Sequence, residues 1–336
     1  MDAQGEPRTV IATMTRIARA TKRASRDQAR KERAGAKRGT SPELAARYEV
    51  LFEQLTRAHC VKYQRMNWPE IATSCVVEPA MKAHALERKA RRALANYNPG
   101  VLDALFGMGA DRRRALGEKV LAAAKKDAEI YAKAKRNAEM HNLDLHLAPG
   151  VMALDFASIG AALEAHLRVD ELRPILEGVA IDMSPSGKLV VHVDVLELDA
   201  LPDESVGLSE AGRSVHARLP PTMRHELHLA NACSAVLRVA VEVMAVTPIE
   251  SIEVLGRCVA PAADVADPEP ILHVRVSHKA LSAMDLRRLE PVSTITALGG
   301  RISWDLQHGF AAIPIDDLEL SAPRRPPPAQ RLAAPA

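Results

Sequence analysis

The longest stretch without a helix breaker covers residues 222–246, TMRHELHLANACSAVLRVAVEVMAV, between Pro220 and Pro221 on one side and Pro248 on the other. At ~1.5 Å per residue it predicts a helix of about 37 Å. Its first turns are polar, with Arg224, His225, Glu226 and His228. Further along, the polar positions thin to Asn231, Ser234, Arg238 and Glu242. These are three or four residues apart, so they share one edge of a helix. The other faces carry Ala, Val, Leu, Cys or Met, so most of the girth needs covering by other elements. The pattern predicts the central helix of the C-terminal half.

Helical spacing also dominates upstream. Ser41, Pro42 and Glu43 place a cap and a first-turn proline at the start of a helix expected to reach about residue 65. Leu44, Tyr48, Leu51, Leu55 and Ala58 form its apolar face. Asn67 is the expected cap of the next helix, Glu78-Pro79 opens a third, and 101–106 gives one or two turns. Asp111 is expected to cap a long helix over 112–143, closed by Pro149-Gly150, and a further helix covers 152–167.

From Leu172 the hydrophobic period changes to two. Residues 174–183 and 188–198 read as a hairpin turning at 184–187. Residues 199–221 read as a polar connection with a short strand at 214–219. Strands are predicted at 249–259 and 271–277 around a loop at 260–270. A helix follows at 279–289. Residues 291–298 suit a strand by their β-branched content, but Pro291 at the start and Gly299-Gly300 at the end favour a short helix. Residues 301–306 and 310–315 form a closing hairpin. The predicted fold is an α-helical N-terminal domain plus a C-terminal α+β domain, with a mostly antiparallel sheet around one long buried helix. The domain reading is a basic, flexible arm at 1–40, an all-α domain at 41–168, an α+β domain at 169–320 and a disordered Pro/Ala-rich tail at 321–336.

Charge changes this picture more than composition does. The net charge of +3 hides 29 Lys/Arg against 17 Asp/Glu in residues 1–150, and 13 against 25 in residues 151–320. Residues 8–38 alone hold eleven Lys/Arg and two acids. A basic half of this kind meets an acidic partner, either nucleic acid or the chain's own acidic half. Within the arm, Arg16, Arg19, Lys22, Arg23, Arg26, Arg30 and Lys31 are the candidate phosphate contacts. Further basic clusters stand at 88–92, 112–114 and 125–136. Eight of the ten aromatic residues precede residue 160, so the C-terminal core is expected to be aliphatic.

Candidate chemistry is sparse. Ser186-Gly187-Lys188 lacks both the upstream Gly and the following Ser/Thr of a phosphate loop. In His225-Glu226-Leu227-His228 the second His falls three residues after the first, whereas a zinc-protease helix needs four. Asp182, Asp194 and Glu197 lie on the predicted hairpin without the Glu-x-Lys spacing of a metal-dependent nuclease. No metal-ligand set and no cofactor motif is found, and none is expected. The four cysteines form no C-x-x-C pair and read as reduced thiols. Residues 1–25 loosely resemble a transit peptide, but Asp2, Glu6 and the continuing charge run argue against one. No membrane span is read, and the expected localisation is cytoplasmic.

The function expected from these features is that of a non-catalytic interaction or scaffold protein contacting nucleic acid, without sequence specificity, through its basic N-terminal half. A protein partner or a homo-oligomer is compatible with it. The alternative is a hydrolase or nuclease-like enzyme with its site on the α+β domain. A concave site where polar groups converge would mark the enzyme, and a groove-like or convex surface the scaffold.

Overall fold

A computed structural model describes residues 41–79, 84–100, 107–167, 169–183, 188–259 and 268–314. Helices α1 (Ser41–Arg57), α2 (Trp68–Ala72), α3 (Ala85–Ala95), α4 (Gly109–Met152), α5 (Phe156–His166) and α6 (Val169–Leu172) come first. Strands β1 (Leu176–Met183), β2 (Leu189–Val195), β3 (Glu204–Leu208) and β4 (Ser214–Arg218) precede helix α7 (Pro221–Val246). Then follow β5 (Ser251–Cys258), β6 (Glu269–Ser277), α8 (His278–Ala283), α9 (Pro291–Ala297), β7 (Arg301–Ile302), β8 (Trp304–Asp305) and β9 (Gly309–Phe310). The chain forms two compact units, one of residues 67–153 and one of the remainder.

The fold is α+β. Five strands form a mixed sheet in the order β1-β2-β5-β6-β7. The β2/β5 pairing is parallel and the other three pairings are antiparallel. Strict alternation on β2 puts Leu189, Val191, Val193 and Val195 on one face. Register carries the same face through Ile252 and Val254 on β5 to Leu272, Val274 and Val276 on β6, all buried. Helix α7 packs here. Gly256 lets it approach: a Cβ at this position would lie 3.1 Å from a methyl of Val236 on α7 and 3.2 Å from Leu272.

Helix α7 also contacts α1 and α9. Its polar edge is a docking seam for irregular backbone. The Asn231 amide donates to the carbonyls of Leu55 and Ile175, both at 3.2 Å. Ser234 meets His59, and the Arg238 guanidinium donates to the carbonyl of Ala58. Met66 donates its N–H to the carbonyl of Ala245 at 2.7 Å. Buried backbone needs such partners, and side chains supply them where no ladder can. By length and hydropathy α7 passes for a membrane-crossing helix, but 78% of its most apolar window is buried within the protein.

Several element bounds differ from the sequence expectation. Helix α1 stops at Arg57, because the chain from 58 to 66 is held on α7. Helix α4 begins two residues before Asp111, and runs through Pro149 to Met152. A proline forfeits its own N–H bond and its ring crowds the carbonyl four residues back, but here it sits in the last turn, with little helix beyond it to disturb. The next helix starts at Phe156, capped by Asp155 through the Ser158 N–H at 2.9 Å. Between the two helices Leu154 adopts φ 59°, a left-handed conformation usually left to glycine. The strand at 214–219 has a partner in β3 that the polar character of 199–213 concealed. The closing hairpin is split: β7 extends the main sheet, while β8 and β9 pair separately. Residues 291–297 are helical, with Glu290 as cap.

Candidate nucleic-acid interface

The unit of residues 67–153 is built on α4, against which α2 and α3 pack. Asn67 caps α2 by accepting the Glu70 N–H at 3.4 Å. Asn142 on α4 pins the extended chain at Val77, accepting its N–H at 2.8 Å and donating to its carbonyl at 2.9 Å. Asp127 reaches from α4 to the start of α3 and accepts the N–H groups of Leu86 at 3.3 Å and Glu87 at 2.9 Å. First-turn N–H groups have no intrahelical partner, so a carboxylate there serves as a cap supplied from another helix.

This arrangement sorts the charge. Asp127 and Asp144 are buried. Glu87 is half-buried and held by Arg91 at 2.7 Å and His84 at 2.9 Å, which together keep its carboxyl below the usual range. The cations stay outside. Among the described residues of the unit, 13 Lys/Arg are exposed against six exposed Asp/Glu. They comprise Arg88, Lys89, Arg91 and Arg92 on α3 and nine side chains between Arg112 and Arg136 on α4. Burial of carboxylates has made the surface more basic than the composition.

The second unit treats its carboxylates differently, giving many of them local partners. Glu171 and Glu242 hold Arg238, Glu250 holds Arg65, Asp285 holds Arg287, and Asp305 holds His308. Glu290 caps α9 by accepting the N–H groups of Val292 and Ser293. Across the outer sheet face Asp182 pairs with His192 at 3.2 Å, Asp194 with Arg257 at 2.8 Å, and Glu253 with His273 at 2.8 Å. The histidine partners depress the carboxyl pKa values of Asp182 and Glu253.

These carboxylates do not form a catalytic cluster. Asp182 lies opposite Val190, four residues from Asp194, which is about 13 Å along the strand. Glu197 lies beyond the end of β2. His225 and His228 are not brought to a common ligand position: His225 Nδ1 donates to the Leu306 carbonyl at 3.0 Å, and His228 Nε2 to the Leu196 carbonyl at 2.7 Å. Among the described residues no group of three His, Cys, Asp or Glu side chains is placed to hold a metal ion.

Two open clefts, of about 400 and 390 Å³, flank the turn from Arg57 to Cys60. His59, at the second, is buried, and its ring is fully committed. Nε2 must donate to the Leu289 carbonyl at 2.9 Å, so Nδ1 is an acceptor for the Ser234 hydroxyl at 3.0 Å. Burial lowers its pKa. Cys60 Sγ is 3.8 Å from Nε2, but that nitrogen already donates elsewhere and cannot take the thiol proton. His59 is therefore not available as a base for Cys60.

The seven arm residues singled out from sequence, Arg16, Arg19, Lys22, Arg23, Arg26, Arg30 and Lys31, lie outside the described residues, as does the turn at 184–187. The basic clusters of α3 and α4 are described and are exposed. Sequence reasoning did not find the Asp127 cap, which only the packing of α3 on α4 creates. Comparison with protein-family models, curated proteins and solved structures finds no match for the chain.

Proposed function

We propose that this is a non-catalytic interaction protein that holds nucleic acid without reading its sequence, through the arm at 8–38 and the basic surface of 67–153. One observation carries the reading: among the described residues of the helical unit, 13 cations are exposed against six exposed acids, and the other described carboxylates are buried or half-buried. The carboxylates of the second unit are largely engaged nearby, which favours an external polyanion over the chain's own acidic half as the complement. The finer architecture within this reading is a helical domain narrowed from 41–168 to the unit at 67–153, and an α+β domain organised on α7 that also takes in residues 41–66. The α+β domain then serves as a platform for a protein partner or a second copy. Binding of this kind is driven by counterion release and falls steeply with salt.

The test is a fluorescence-anisotropy titration on a random-sequence duplex with full-length protein and with protein lacking residues 1–39. If about five arm side chains engage phosphates, they contribute about −4.5 to the slope of log affinity against log salt. A rise from about 50 to 200 mM salt then weakens binding roughly 500-fold through the arm alone. Truncation should remove that share of the slope. Absence of binding by full-length protein at low salt would sink the reading.

A further inference from the structure

Within the basic surface, α4 carries an ordered row. Arg112, Lys119, Lys126 and Lys133 recur every seven residues, and all four are exposed. Seven residues make just under two turns, so the row spans about 32 Å and drifts by only about 60° around the helix. Between them on the same strip stand Ala115, Ala122 and Glu129 on one flank and Leu116, Ala123 and Ile130 on the other, so one carboxylate, Glu129, borders the row. Glu118 stands farther to the Glu129 side, among Arg114, Lys125 and Arg136. Lys119, Lys126 and Lys133 make no ion pair with any described residue. Glu129, between Lys126 and Lys133, is thus the one acid bordering a strip that is otherwise cationic and apolar.

Among the described residues the row has no exposed aromatic side chain for bases to stack on. The described aromatic residues of this unit are Trp68, which is buried, and Tyr97 and Tyr131, which are half-buried. Surfaces that hold single strands combine cations with exposed aromatic platforms. A rigid, straight line of ammonium groups without platforms suits a stiff, regularly charged partner whose bases are already stacked.

We infer that the row Arg112–Lys119–Lys126–Lys133 on α4 tracks the phosphate backbone of a double-stranded nucleic acid, with no preference for its sequence. This rests on the nucleic-acid reading above and names the face and the class of strand. Substituting Lys119, Lys126 and Lys133 by Gln keeps helix propensity and removes three charges. In the full-length protein, K119Q/K126Q/K133Q should reduce the salt slope on a duplex by about 2.7. A control carrying K62Q/K279Q/R213Q removes the same charge from exposed positions of the other unit and should leave the slope within about one. DNA and RNA duplexes should both bind, and each more tightly than a single strand of equal length. Circular dichroism confirms that both variants keep their helix content. Equal losses from the two variants, an unchanged slope in the row variant, or tighter binding of single strands would overturn the inference while leaving the broader reading intact. No duplex binding by the unmodified protein would overturn both.

Discussion

Ser234 and His59 stand 175 positions apart in the chain and share two hydrogen bonds, one through the His59 backbone N–H at 3.2 Å and one through its ring at 3.0 Å. The serine hydroxyl accepts the first and donates the second, so a single buried oxygen fixes both the path of residues 57–60 and the tautomer of the ring. Ser234→Ala should leave a buried N–H and a ring nitrogen without partners and cost about 1–3 kcal/mol for each group left bare, reduced by any local relaxation. Urea denaturation of the full chain measures it. A midpoint indistinguishable from the unmodified protein would show that the seam contributes nothing.

His228 gives the fold a pH dependence. Burial is the main cause that pushes its pKa down to about 4, with the bond to the Leu196 carbonyl opposing it. The unfolded chain binds the proton near pH 6.5 and the folded chain does not, so stability is fully present above about 6.5 and is lost as pH falls toward about 4. The span is on the order of 3 kcal/mol. His228→Gln keeps an N–H donor without the titration, and its stability should vary less over that window. Parallel pH profiles for the two proteins would refute the assignment.

Asp127 links charge burial to helix formation. Asp127→Ala should leave the N–H groups of Leu86 and Glu87 uncapped and cost about 1–2 kcal/mol locally, with Asp127→Asn milder because one acceptor remains. Hydrogen exchange should quicken at these amides and along α3 more than along α7. Uniform change across both helices would argue against a local cap.

Leu154 carries a conformation that costs an L-residue about 1–2 kcal/mol. Leu154→Gly removes that cost but adds freedom to the unfolded chain, for a net gain of roughly 1 kcal/mol. Thermal unfolding should shift upward. A clear drop would mean that the half-exposed side chain packs more productively than its backbone suggests.

Hydrophobic period placed most helices and strands, though not β3 or the end of α1, because a period of 3.6 or 2 records which side of an element is covered. The apolar faces of β2 and of residues 222–246 are of this kind, as is the Asn67 cap, whose signal lies within four residues. The thin polar line Asn231–Ser234–Arg238–Glu242 was visible as a line. What it binds was not, since its partners at Leu55, Ala58 and His59 come from a segment that helical spacing alone would have kept helical.

Tertiary structure alone decided three things. It assigned residues 41–66 to the compact unit of the C-terminal half, although their own pattern resembles the helices of 67–153. It paired Asp182, Asp194 and Glu253 each with a separate basic side chain, His192, Arg257 and His273, where the sequence showed only carboxylates on strands. And it buried Asp127 and Asp144 while leaving the lysines and arginines of α4 in water. Sequence fixes how many charges a chain carries. Which of them reach the solvent depends on long-range packing, because the cost of burying a carboxylate is met only where another element offers it hydrogen bonds.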